Sequence, residues 1–122
     1  MTPYTFTEQD FFEFRQEVTR WTSCLGLANG WFIEVRQEQI GGGVNAQCAY
    51  NVQKRNALFR LTINTEGDFC MLTDPKKLAL HECLHLALAE VVYTAAKLGD
   101  DSHELAVAKE HELINRLMMV LS

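Results

Sequence analysis

One segment decides the fold of this chain, and from Asp74 to Gly99 it reads DPKKLALHECLHLALAEVVYTAAKLG. Asp74 is a typical N-cap, Pro75 suits the first helical position, and Gly99 is placed to end a helix. The residues between them leave almost no polar face, which is typical of a helix buried at the centre of a domain. The segment therefore predicts one long central helix.

Within this helix, His81-Glu82-Cys83-Leu84-His85 form the pattern H-E-x-x-H. Four residues turn an α-helix by about 400°, so both imidazoles project from one face, one turn apart. Imidazoles at this spacing can hold one Zn²⁺, and Glu82 lies where a general base for a zinc-bound water is needed. We predict that His81 and His85 bind zinc. The alternative is that both are core histidines hydrogen-bonded to neighbours. Cys83 points away from the imidazoles and is predicted to pack in the core.

A catalytic zinc site needs three protein ligands and one open position, so a further ligand is required. Five candidates lie downstream, on a predicted helix that starts near Ser102 and runs to the C-terminus: His103, Glu104, Glu110, His111 and Glu112. The apolar face of that helix is formed by Ala106, Val107, Leu113, Ile114, Leu117 and Leu121. Glu110 lies at the centre of this face, so we predict it as the third ligand. His111 and His103 are the alternatives, whereas Glu112 is displaced by about 200° and is predicted to face solvent.

The composition limits the class of protein. A length of 122 residues predicts a single domain, residues 1–122. The net charge of −5 argues against direct binding of nucleic acid, because neutralising phosphates requires a basic surface. The N-terminus lacks the pattern of a secretory signal, and the ionisable residues of the apolar segment argue against a membrane span. Four cysteines without a C-x-x-C pair are typical of free thiols, so we expect a cytoplasmic protein.

The other elements follow from periodicity. Thr7 and Asp10 resemble the capping box of a first helix, which Gly26 ends. Its apolar stripe consists of Phe11, Phe14, Val18, Trp21 and Leu25. Residues 31–36, 46–52 and 57–64 are predicted strands, the second near a sheet edge, and residues 66–68 are predicted to turn the chain towards the central helix. The order α-β-β-β-α-α predicts an α+β fold with the strands grouped and the helices packed on them.

This arrangement resembles the small zincin metallopeptidases, in particular the short gluzincin-like domains of phage and prophage proteins and of the ImmA/IrrE family. The resemblance rests on residues 81–85 (HECLH), on residues 108–112 (AKEHE), and on the order of helix, three strands, active-site helix and glutamate helix. It implies a minimal zincin-like domain in which His81, His85 and Glu110 hold zinc and Glu82 is the catalytic base. It also implies that extended peptide binds along a strand edge, at residues 46–51 or 57–64.

The predicted function is a zinc-dependent metallopeptidase acting on a protein or peptide. Glu82 would deprotonate the zinc-bound water, whose pKa the metal lowers to about 7, for attack on a peptide carbonyl. Zinc would hold the oxyanion together with His111, His103 or Tyr50. The alternative is a catalytically weak or inactive zincin scaffold that keeps zinc for stability and binds a partner protein as a phage accessory module. Hydrolysis of a phosphodiester is disfavoured by the acidic charge balance and by the absence of a phosphate-binding loop.

Overall fold

The computed structural model describes residues 4–66 and 73–121. Its elements are helix α1 (Glu8–Cys24), strands β1 (Phe32–Gln37), β2 (Ala46–Asn51) and β3 (Asn56–Leu61), and helices α2 (Pro75–Ala87), α3 (Ala89–Leu98) and α4 (Asp100–Leu121). The predicted α+β class is confirmed, with the strands grouped between α1 and the later helices. The predicted turn at 66–68 falls largely outside the described residues.

Helix α1 forms as its sequence predicts. The Asp10 N–H donates to Thr7 Oγ1 at 3.1 Å, and the Thr7 N–H donates to Asp10 Oδ2 at 2.9 Å, which completes the capping box. Phe14 and Val18 are fully buried, and the other members of the apolar stripe pack around them. The helix ends shortly before Gly26, whose φ of 74° is easily adopted by glycine.

The sheet has the order β1-β3-β2, with β1 parallel and β2 antiparallel to the central β3. Alternate side chains of β3 (Ala57, Phe59 and Leu61) are buried against the helices. Strand β3 ends at Leu61 and not at the predicted residue 64. The backbone changes partner just beyond Thr62, because the Ile63 carbonyl accepts from the Phe6 N–H at 2.8 Å and Asn64 pairs with Thr5 of the N-terminal segment.

The predicted single helix from Asp74 to Gly99 is wrong, because the chain breaks at Leu88 into α2 and α3, which are bent by 41°. Asp74 caps α2 as expected, accepting from the Lys76 N–H at 3.0 Å. Helix α2 is largely buried, whereas Val91 of α3 is 62% exposed. After the bend, α3 packs mainly on α4 and leaves its other face exposed. Many apolar side chains of α3 are therefore not buried. Among the described residues no single helix is long and apolar enough to cross a membrane, and α2 and α3 reach that length only as a bent pair.

Helix α4 is tied to α2 by a small cluster of buried side chains, Leu80, Leu84 and Ile114. The helix begins at Asp100, slightly before the predicted start. Ile114 is fully buried as predicted, but Leu113, assigned to the same face, is 40% exposed. The buried line therefore follows positions 107, 110, 114 and 117, at intervals of 3 or 4 residues, and Leu113 lies at its border.

Replacing Ile114 by alanine should lower the free energy of unfolding by about 2–5 kcal/mol, because a fully buried side chain is removed from the α2–α4 contact. Leu113→Ala removes the same kind of side chain from a largely exposed position and should cost much less. Chemical denaturation of the two variants measures the difference. Equal destabilisation would mean that α4 does not dock on α2 through Ile114.

Candidate functional site

The two motif histidines project from the same face of α2, as their spacing predicts. Their Nε2 atoms are 3.2 Å apart, and their rings meet edge to face with centroids 4.9 Å apart. Two nitrogens bound to one tetrahedral Zn²⁺ at about 2.0–2.1 Å are separated by about 3.3–3.4 Å. The observed separation therefore matches one edge of a zinc coordination tetrahedron.

The protonation of His81 also suits a metal ligand. Burial, together with the nearby His85 and His111, lowers the pKa of His81, while Glu110 acts in the opposite direction. A lowered pKa keeps the imidazole neutral at neutral pH, which is the form that binds metal ions.

Glu110 of α4 reaches the same cluster. Its side chain is only 9% exposed, and its Oε2 lies 3.1 Å from Nδ1 of His85. The contact uses the ring nitrogen of His85 that is opposite to the one facing His81. A carboxylate that hydrogen-bonds to the ring nitrogen not bound to the metal fixes the orientation of a metal-binding imidazole. Glu110 is thus brought to the site as predicted, and its contact to His85 suits an orienting role as well as a role as ligand.

His81 and Glu110 contact different nitrogens of the His85 ring, so the three side chains do not yet surround one point. Across residues 4–66 and 73–121, no three His, Cys, Asp or Glu side chains already converge on one point as a metal site. His81 lies at Nε2 of His85 and Glu110 lies at Nδ1, so the two close pairs do not share a centre. A common centre for all three would require the Glu110 carboxylate or the His85 ring to reorient.

The alternative third ligands differ in position. The ring of His111 is 5.5 Å from that of His85, measured between centroids, so His111 borders the cluster as predicted. His103 lies instead on the wall of a pocket between β2, α3 and α4. Glu112 is exposed and forms ion pairs with Lys109 at 3.3 Å and with Arg116 at 2.6 Å, as expected for a surface residue.

Glu82 turns from α2 towards the sheet, where its carboxylate accepts a hydrogen bond from the backbone N–H of Cys48 in β2. The residue is 9% exposed. Burial raises the pKa of Glu82 to about 8; the Cys48 amide opposes this shift, and the charge of Glu110 adds to it. A carboxyl group with a pKa near neutrality is suited to general acid–base catalysis.

The amide of Cys48 was not identified from the sequence, although the predicted edge position of β2 indicates unpaired backbone groups there. Asn45 accepts from the Thr62 N–H at 2.8 Å. Because hydrogen-bonded and non-bonded pairs alternate along an antiparallel ladder, Ala46, Cys48 and Tyr50 direct their backbone groups away from β3. The outer edge of β2 therefore carries backbone groups that point away from β3, and one of them, the Cys48 N–H, already donates to Glu82.

This topology decides between the two strand edges expected to receive peptide. Strand β3 is paired on both sides, so the expectation for residues 57–64 is wrong. Strand β2 has one free edge and packs against α2, which carries the motif. Residues 46–51 are the edge next to the candidate site.

Two further residues near the motif differ in role: Tyr50 interacts electrostatically with Glu110, whereas Cys83 faces α1, with its Sγ 3.9 Å from the Val18 carbonyl oxygen. Burial and the charge of Glu110 raise the pKa of Tyr50, so its hydroxyl remains protonated and can donate a hydrogen bond.

Cys83 is fully buried, which confirms its predicted packing role. Burial raises the pKa of the Cys83 thiol to about 12, which makes the thiol a poor nucleophile.

No protein-family model matches this chain, and comparisons with curated proteins and with solved structures find no significant match.

Proposed function

We propose that this protein is a zinc-dependent metallopeptidase with a minimal zincin-like fold, in which His81, His85 and Glu110 hold the metal and Glu82 is the catalytic base. The observation that carries the proposal is the pair of Nε2 atoms 3.2 Å apart on a buried helix, with the Glu110 carboxylate 3.1 Å from the second histidine. A half-buried pair of imidazoles with an adjacent carboxylate is a donor set that fits Zn²⁺.

Each residue then has a defined task. Zinc supplies Lewis-acid activation of water and of the peptide carbonyl when it is bound. Glu82 accepts the proton from the attacking water and returns it to the leaving amine, and the Cys48 amide holds its carboxylate in place. The free edge of β2 aligns an extended peptide through backbone hydrogen bonds. The hydroxyl of Tyr50, close to Glu110, donates to the developing oxyanion.

A binding module is the second candidate, and the two contacts of the His85 ring favour it. Glu110 and His81 already satisfy both ring nitrogens of His85, so the cluster is stable as a hydrogen-bonded network. In that function the scaffold binds a partner protein along the same β2 edge and cleaves nothing. In either function we place the protein in the cytoplasm, since the described cysteines 24, 48 and 83 are free thiols.

Metal analysis tests what the peptidase proposal requires. After dialysis we expect one zinc ion per chain, because α2 and α4, which carry the three proposed ligands, are docked through Leu80, Leu84 and Ile114, so only side chains must reorient to share one ion. Chelation should lower the melting temperature, because an ion that binds only the native state stabilises that state. When the free zinc concentration is 1,000 times the Kd, binding raises the free energy of unfolding by about 4 kcal/mol. Elemental analysis and thermal denaturation with and without chelator measure both effects. A folded protein that takes up neither Zn²⁺ nor Co²⁺ would refute the proposal.

A further inference from the structure

A pocket of 340 Å³ opens between the end of β2, helix α3 and the start of α4. Binding sites for small ligands and side chains begin at about 300 Å³. Its walls are two aromatic rings, aliphatic side chains, two amides and one imidazole, and none of the wall residues is Asp, Glu, Lys or Arg. The lining includes Tyr50, Val92, Tyr93, Ala96 and His103.

The pocket is continuous with the candidate site through Tyr50. Tyr50 is one of the residues that line the pocket, and it belongs to β2, the strand that packs against α2 with its two motif histidines. The backbone of Tyr50 also belongs to the free edge of β2. A peptide paired with that edge advances about 3.3 Å per residue, so a peptide residue opposite Tyr50 would bring its side chain to the pocket.

From this continuity we infer that the pocket selects the substrate: it accepts a large apolar or aromatic side chain of the peptide that lies along β2. The inference rests on the proposed peptidase function. The lining residues themselves offer a Lys or Glu side chain no partner of opposite charge, whereas their aromatic and aliphatic groups favour an apolar or aromatic side chain. The ring of Tyr93, which carries Lys97 Nζ on its face at 4.6 Å from the centroid, offers a fixed aromatic wall.

The test fills the pocket without touching the cluster. Ala96 is an exposed residue on the pocket wall, so Ala96→Trp places an indole in the pocket at little expected cost to folding. Thr94→Trp adds the same side chain to an exposed position on the opposite side of α3 and serves as the matched control. Short peptides with Phe, Leu, Ala, Lys or Glu at one varied position are compared in two assays. The first is cleavage by the zinc-loaded protein; the second is binding to the zinc-loaded Glu82→Gln protein.

We expect peptides with Phe or Leu to bind and be cleaved about 10-fold or more better than those with Ala, Lys or Glu. Ala96→Trp should raise KM and Kd for the Phe peptide by a similar factor with kcat little changed, and Thr94→Trp should change neither. Indifference to the varied residue, or equal effects of the two tryptophans, overturns the inference even if cleavage is observed. If no peptide is cleaved, the peptidase proposal fails, and the binding assay alone tests whether the pocket selects apolar side chains. In that case Phe-selective binding lost in Ala96→Trp supports the pocket, and its absence overturns it.

Discussion

Replacing Glu82 by glutamine should lower kcat by about 10²–10⁴-fold, the usual contribution of a general base, while zinc content stays unchanged. Glutamine keeps the shape of the side chain, and its carbonyl oxygen can still accept the hydrogen bond from the Cys48 N–H. It cannot accept a proton from water. The expected loss therefore falls on the chemical step, and KM should change little.

The matched control is Glu112→Gln, which makes the same chemical change on the surface of α4, where Glu112 pairs with Lys109 and Arg116. This variant should cleave as the unmodified protein does. Turnover on broad peptide pools, together with elemental analysis of each variant, measures the prediction. If Glu82→Gln cleaves normally, Glu82 is not the base. If the unmodified protein cleaves nothing, the binding module becomes the better account.

The parts of the fold that local sequence could predict are those decided by local chemistry. The capping box of Thr7 and Asp10, the N-cap at Asp74 and the alternating burial along β1 and β3 each depend on neighbours in the chain, and the structure confirms them. The shared face of His81 and His85 follows in the same way from helical geometry.

The features missed from the sequence depend on contacts distant in the chain. The break at Leu88 has no proline or glycine to mark it, and it is accompanied by the packing of α3 on α4. The position of β3 between two partners cannot be read from its alternation, which is the same for a central and an edge strand. The Cys48 amide reaches Glu82 only because α2 lies over β2, 34 residues later in the chain.

The placement of Glu110 was predictable from the sequence in one respect and not in another. Helical periodicity correctly predicts a carboxylate in the buried line of α4, because Glu110 lies one turn from Ile114. Periodicity does not predict which nitrogen of His85 the carboxylate meets. That depends on how α4 docks on α2 through Leu80, Leu84 and Ile114.

Glu110→Gln should weaken zinc binding by more than about 100-fold, which is the upper end of the loss expected for a residue that only orients a ligand. As a direct ligand, Glu110 supplies a negative charge to the ion, and glutamine removes that charge while preserving side-chain size and the possibility of a hydrogen bond to His85 Nδ1. Glu112→Gln, two residues later on the exposed side of α4, is again the control and should bind zinc normally.

Competition with a chromogenic chelator gives the affinities, and the visible spectrum of the Co²⁺-loaded protein reports the ligand set directly. A loss of only about 10–100-fold, with an unchanged cobalt spectrum, would contradict direct ligation and assign Glu110 the orienting role that its contact with Nδ1 suits. His111 would then be the next side chain to test as the third ligand, since its ring already lies 5.5 Å from that of His85. Unchanged affinity would remove Glu110 from the site altogether. The measured factor thus distinguishes a carboxylate that binds the metal from one that holds the histidine that binds it.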